Sequence, residues 1–561
     1  MKYFMWVFAL FVFVGVASAV CEATGEGTCY YIDPVHGDDT NDGSIDSPWQ
    51  TFMNIQFANW PFPPDHVWLN PGDVIYLREG LHNTPVCSSY QEDPMTQPCG
   101  VASFRRDTFN PGREQSGTAE HPIRLTAFPG ERAVVGRTSE YPEGSAGLGF
   151  LGVEWWEISD IEVAWTPADC MWIANAQDIV VRGMTFHNCA RKDTGGNPAG
   201  LELTRSERIE VSHSTFYDTF RDGRVVDWPF DHLGNWDSRG MGLMMFRGSN
   251  ITVHNNLFFQ TKPARSPSGA ELDVLDCVLY KHAQDDPQGF FHFFDNTLVN
   301  CQNAVSTGTQ NSWIYNNLLI DVQSGFGTQN AGGATIQQNQ TFESNTVIAQ
   351  RFAGGDVANP MGDLAHLFPD APQQIVFRNN VVYNTAENYN QENNLIDFAT
   401  YRDIDDTIPR FVEGFSFENN CYFNPYRALR FNVKCCRGND GGFFTFDEWQ
   451  AFSHNGQVVG FDAQSVVADP EFVNPSAGDY RVSSQSACFG RGAQITARSL
   501  PVIREADVTG SGTVAVADLL YVVNRLGQTA APTGFAQHAD INNDGVIDLF
   551  DLVLVARSFG S

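Results

Sequence analysis

Apolar and polar residues alternate with a period of two in short runs along this chain, and each run halts at a pair of small or polar residues. ITVHNNLFF (251–259) is one such run, and its pattern returns in IVVRGMTFHN (179–188), IEVSHSTFYD (209–218) and FHFFDNTLVN (291–300). It returns again in SWIYNNLLID (312–321), QTFESNTVIA (340–349), IVFRNNVVYN (375–384) and FSFENNCYFN (415–424). Period-two alternation predicts half-buried strands, yet asparagine is depleted in strands. A sheet that keeps accepting it needs a structural reason.

The sixth residues of these runs are Met184, Ser214, Asn256, Asn296, Asn317, Asn345, Asn380 and Asn420, spaced 21 to 42 residues apart. The shortest spacing is a bare coil and the excess is loop. A fixed strand motif at variable spacing is the signature of a β-solenoid whose insertions leave at the corners. When coils stack, each asparagine lies over the next, and its amide can bond both a neighbouring amide and nearby backbone. A sandwich of Asn turns would carry hairpin dipeptides, and a propeller would keep a steadier period; neither is present.

Helical stripes are missing until the last sixty or so residues, so the body is expected to be mainly β. At 561 residues the chain exceeds one globular core, which again favours an elongated repeat. Its opening, MKYFMWVFALFVFVGVASA (1–19), joins one lysine to an apolar run and a small-x-small end, the pattern of a cleaved secretory signal. Three regions are expected: the signal at 1–19, a solenoid at 20–500 with its repeats clearest at 117–430, and a separate module at 501–561.

The formal charge of −32 disfavours nucleic acid and anionic membrane as partners. A polyanionic sugar would need a local basic patch or bridging cations. Twelve cysteines in an exported chain suggest disulfides, and Cys87/Cys99, Cys170/Cys189 and Cys277/Cys301 have spacings that suit loop staples.

The runs resemble those of right-handed parallel β-helix proteins of the pectate lyase-like superfamily. YYIDPVHGDDTNDGSIDSPWQTF (30–52), PGDVIYLREG (71–80) and GTAEHPIRLTAFPGERAVV (117–135) are similar to the opening coils of secreted β-helix polysaccharide lyases. The resemblance implies a carbohydrate-active protein. It does not extend to the calcium-binding aspartate cluster of pectate lyases.

The tail has a different pattern. DVTGSGTVAVADLLYVVNRLG (507–527) and DINNDGVIDLFDLVLVARSFG (540–560) are two copies of a twelve-residue loop running into an apolar helix. The second loop offers Asp540, Asn542, Asp544, the Val546 carbonyl, Asp548 and Asp551, with Gly545 at the sharp turn. Oxygen donors at that spacing surround calcium. The first loop offers Asp507, Thr509, Ser511 and Asp518, a weaker set. The duplication resembles a type I dockerin, which implies a cohesin-like partner. The Ser-Thr pair that often meets the cohesin is replaced by Val516-Ala517 and Leu549-Phe550.

Two early insertions, 220–240 and 261–276, are rich in charge and aromatics, and Trp228 and Trp236 could stack on sugar rings. Arg205 and Arg247 each stand four residues before a run, so they should stack in adjacent coils, with Lys281 or His282 continuing the column. A basic stripe suits β-elimination from a uronic acid chain, which needs a neutralised carboxylate, a base for the C5 proton and an acid at the glycosidic oxygen. On this reading Lys281 is the base, Arg205 and Arg247 hold carboxylates, and His282 or Tyr280 supplies the proton. The rival is hydrolysis by a carboxylate pair drawn from Asp273, Asp276, Asp285 and Asp286, of which Asp285 and Asp286 are also candidate substrate contacts. A third reading is a non-catalytic carbohydrate-binding or adhesive surface.

Overall fold

A computed structural model describes residues 21–498 apart from 58–64, 84–99, 107–113, 137–145, 190–198, 218, 220–240, 261–275, 282–288, 329–337, 350–372, 385–395, 401–413, 436–441 and scattered single positions. Beyond 498 it describes 516–523 and a few isolated residues. Within this span the chain winds as a parallel β-helix. Three long parallel sheets run its length: sheet A with twelve strands, sheet B with twelve and sheet C with eight. Each complete coil contributes one strand to A, a short one to B and one to C.

The alternation in the runs sets the register. In sheet A the inward residues Val181, Val211, Val253, Phe293, Ile314 and Phe342 stand one above another in consecutive coils. All are fully buried. A one-residue slip would turn this column outward, so the apolar pattern and the stacking specify each other.

The asparagines occupy the corner between A and B. Asn256 donates its backbone and side-chain N–H to Asn296 Oδ1 at 2.9 and 3.0 Å, and its side chain also donates to the Val211 carbonyl at 2.9 Å. Asn296 does the same to Asn317, Asn317 to Asn345, Asn345 to Asn380 and Asn380 to Asn420. Each is completely buried. The residue before each one (Asn255, Asp295, Asn316, Ser344, Asn379, Asn419) has a φ of 51 to 56°, the left-handed conformation that makes the corner sharp and that Asn and Asp tolerate best. Asn420 passes the ladder to Asp462, whose buried carboxylate also accepts from Trp449 Nε1 at 2.8 Å and from the Tyr422 hydroxyl. Burial pushes the Asp462 carboxyl above its ordinary range.

Residues beyond 432, where the repeat fades, form a cap and then a return strap. The helix Phe446–Gln450 carries a Thr445/Glu448 capping box and seats the fully buried Trp449 between Phe431 and Phe461. The strap is pinned by the Cys421–Cys488 disulfide and runs back down the corner. Arg491 Nη2 bonds Asn419 Oδ1 at 2.6 Å, Gly492 N bonds the Asn379 carbonyl at 2.8 Å, and Gln494 N bonds Asn316 Oδ1 at 2.6 Å. Further along, Arg498 Nη1 reaches the Asn255 carbonyl at 2.8 Å. The first asparagine of each pair thus serves the strap and the second serves the ladder.

Disulfides also join Cys170–Cys189, Cys277–Cys301 and Cys21–Cys29, while Cys87 and Cys99 lie outside the described residues. Among the described residues no helix is long and apolar enough to cross a membrane.

Replacing Asn317 by Ala strands the Asn296 amide and the Phe293 carbonyl in a dry corner. The expected loss is about 2–4 kcal/mol of unfolding free energy, read by denaturant or thermal melts, because buried polar groups lose their partners. Replacing the exposed Glu120 by Ala should cost no more than about 0.5 kcal/mol.

Candidate functional site

The long insertions 190–198, 218–240 and 261–275 each enter a sheet C strand, and 282–288 leaves one. Sheet C is thus the sheet whose strands these insertions adjoin in sequence. Its outer face is the candidate site.

Its outward positions form two columns. Trp172, Glu202, Met244, Leu279 and Ser306 are stacked in one. Ala174, Thr204, Phe246 and Lys281 form the other. A rung rises about 4.8 Å, so Thr204 and Lys281 lie roughly 10 Å apart along the axis. Although they point away from the core, Met244, Leu279 and Lys281 are only 4, 1 and 9% exposed.

Thr204 Oγ1 donates to Glu202 Oε1 at 2.5 Å, and Glu202 is also hydrogen-bonded to the Asp169 side chain. Burial raises the Glu202 carboxyl above its ordinary value of 4.5. Two carboxyls in direct hydrogen bond hold one proton between them, since both cannot ionise at that separation. Asp169 is fixed in turn by the Ala199 amide at 2.7 Å.

Arg205 and Arg247 occupy the same corner position in consecutive coils: Arg205 N donates to the Phe246 carbonyl at 2.7 Å, and Arg247 N to the Lys281 carbonyl at 3.0 Å. Both have left-handed φ, 49 and 54°, and both side chains are exposed. The Arg247 guanidinium lies 5.2 Å from the centre of the Phe246 ring. Because Lys281 pairs with Phe246, it stands one step before the arginine column, on the strand face. Lys281 therefore does not continue that column, and His282, the alternative, lies outside the described residues. So do Trp228, Trp236, Asp273, Asp285 and Asp286.

Two expectations need correction. Tyr280 cannot supply a proton to substrate: it alternates inward with Val278, is 2% exposed, and gives its hydroxyl to the Gly248 carbonyl in the core. Asp276 opens the Lys281 strand and is 4% exposed, buried rather than standing in an open acidic cluster. Glu202, Thr204 and Asp169 were missed by reading the repeats alone. The signal was in GLELT (200–204), where the acid and the hydroxyl alternate with buried leucines and so must point outward.

Among the described residues no group of three or more His, Cys, Asp or Glu could hold a metal ion. Of the tail ligands, Asp518 falls in the helix Val516–Val523, while Asp507, Thr509, Ser511, Asp540, Asn542, Asp544, Val546, Asp548 and Asp551 lie outside the described residues.

The model of the right-handed β-helix region matches residues 146–319, and that of the dockerin type I domain matches residues 505–560. No curated protein matches the chain. Among solved structures, a pectate lyase, Pel9A, is similar at 15% identity over 85% of this chain and 94% of its own, with a TM-score of 0.42. A rhamnogalacturonan lyase is similar at 14% identity over 87% of this chain and 99% of its own, with a TM-score of 0.35. The family 28 exopolygalacturonase of Yersinia enterocolitica is similar at 12% identity over 66% of this chain and 68% of its own, also at a TM-score of 0.35. Stacked parallel sheets and both regional matches agree: the chain is a right-handed parallel β-helix that carries a dockerin type I domain at its C-terminal end.

Proposed function

We propose that this protein is an exported enzyme that cleaves a uronic-acid-containing polysaccharide by β-elimination on the outer face of sheet C. The observation that carries this reading is the grouping of Lys281 with Thr204, Glu202 and the arginine column in three consecutive coils. The corner guanidiniums of Arg205 and Arg247 pair with sugar carboxylates, and the proton held by Glu202 and Asp169 gives a further donor to one of them. Neutralising that carboxylate lowers the barrier to removing the C5 proton. The uncharged Lys281 amine takes this proton, a double bond forms between C4 and C5, and the C4–O bond breaks. His282, next along the chain, returns a proton to the leaving oxygen. Export agrees with the disulfides and with the opening segment 1–19.

A hydrolase needs two carboxyls about 5–5.5 Å apart for retention, or further apart for inversion. Of the acids that could form such a pair, Asp273, Asp285 and Asp286 lie outside the described residues, and Asp276 is 4% exposed. The second tail loop offers an all-oxygen donor set, which suits calcium, and the ion's role there is to fold the loop. Val516, Leu520 and Val523 stand 58, 55 and 42% exposed at helical spacing along one face, which supports an apolar contact with a cohesin-like partner in place of a hydroxyl pair.

The activity is tested by incubating the full chain with polyuronates and neutral polysaccharides, following both ultraviolet absorbance of the unsaturated product and new reducing ends. Product absorbance from a polyuronate is expected, falling at least about a hundredfold in Lys281→Ala. Reducing ends without absorbance would make the protein a hydrolase, and neither signal would make it a binder.

Glu202 carries a pH prediction. Its folded value is raised, so its contribution to stability is full below 4.5 and is lost as pH rises through the folded value. Glu202→Gln should therefore melt with wild type near about pH 4 and increasingly above it toward about pH 8. A variant equally destabilised at both would remove the shared proton.

Calcium should raise the helical signal and melting temperature of the tail, and EDTA should reverse both. Asp540→Ala combined with Asp551→Ala should abolish the response while leaving the solenoid transition in place.

A further inference from the structure

A second surface, on a different side of the solenoid, has the chemistry of a sugar site. The outward residues Glu157, Val180, Glu210, Thr252, His292 and Trp313 of sheet A stand in register through six consecutive coils. At about 4.8 Å per rung they run roughly 25 Å along the axis. The first four of them line a groove of about 640 Å³, bordered along one edge by Trp155, Asp178, Arg208 and Phe290. At its far end the groove opens onto rings: Phe290 is 4.5 Å from His292, and Trp313 lies 4.4 Å from Tyr315 at 35°.

Two features distinguish this face from packing. Between residues 54 and 425, the only large hydrophobic side chains exposed among the described residues are Phe290 at 38% and Trp313 at 42%, and both belong to it. Its charge is also biased. Arg208 is held by Asp178 at 2.7 and 2.8 Å and also pairs with Glu207, and Glu157 is held by Arg124 at 2.9 Å, so the lining carries three carboxylates against one arginine, with Glu210 set 3.3 Å from His254 Nε2. A polyuronate would lay its carboxylates against Glu210, with a cost in repulsion.

We propose that the outer face of sheet A binds an extended, neutral, hydroxyl-rich polysaccharide chain. The apolar C–H faces of its sugars rest on Phe290 and Trp313, and their hydroxyls donate to Glu157, Asp178 and Glu210 and accept from Asn250. Carboxylates that repel an acidic chain are good acceptors for hydroxyl donors. The surface is separate from sheet C and does not depend on the reaction proposed there. It would hold the enzyme on a neutral matrix while the other face cleaves an acidic one.

The test is affinity electrophoresis of the full-length protein through gels holding xyloglucan, galactomannan or mixed-linkage β-glucan, with polygalacturonate as the charged comparison. Retardation is expected in at least one neutral gel, unchanged in about 1 M NaCl, where charge attraction is screened. Trp313→Ala and Phe290→Ala should each weaken it about tenfold or more. Trp313→Tyr should largely restore it, and Lys281→Ala should leave it intact, which separates this site from sheet C. Melting curves of the Ala variants should match wild type, since both side chains are exposed. No retardation in any neutral gel would overturn the proposal, as would retardation that survives both Ala substitutions or is confined to polygalacturonate.

Discussion

The structure depends on the burial of an amide that must find partners. Each ladder asparagine is fully enclosed at the corner between sheets A and B, and its side chain can be satisfied only by the coil above and the coil below. An unsatisfied group there would cost about 1–3 kcal/mol. Stacking in one register is the arrangement that avoids this cost repeatedly. The left-handed residue before each asparagine makes the corner tight, so the chain turns without an insertion there.

A tight corner on one side pushes variation elsewhere. Insertions leave mainly between B and C, while the A–B corner is smooth enough for the strap to lie along it and bond the first asparagine of each pair. The fold thus separates its tasks by face. Corner A–B holds the coils together, sheet C carries the acid, hydroxyl and amine, and sheet A presents a groove and exposed rings. A strongly acidic chain thus sets two arginines at adjacent corners beside Lys281.

Much of this was legible in the sequence. The ladder follows from Asn256 to Asn420 falling at one template position, and the stacking of Arg205 over Arg247 from their equal distance to the next run. The strap was not legible, because the backbone amides of 492–494 and the Arg491 and Arg498 side chains bond backbone carbonyls and corner side chains 72 or more residues away, which no local pattern links. Lys281 and His282 could not be ranked for the arginine column, because that coil carries an insertion just beyond them; backbone pairing with Phe246 takes Lys281 out of it. The Glu202–Asp169 pair joins residues from neighbouring coils that no local pattern links.

Hydrogen exchange across the ladder is the most direct test of the stack. Peptides covering 251–259, 312–321 and 375–384 should be strongly protected, and should lose protection together as denaturant rises, because each coil completes the hydrogen bonds of the next. Independent opening of the three segments, or rapid exchange in any of them under native conditions, would contradict a continuous asparagine ladder.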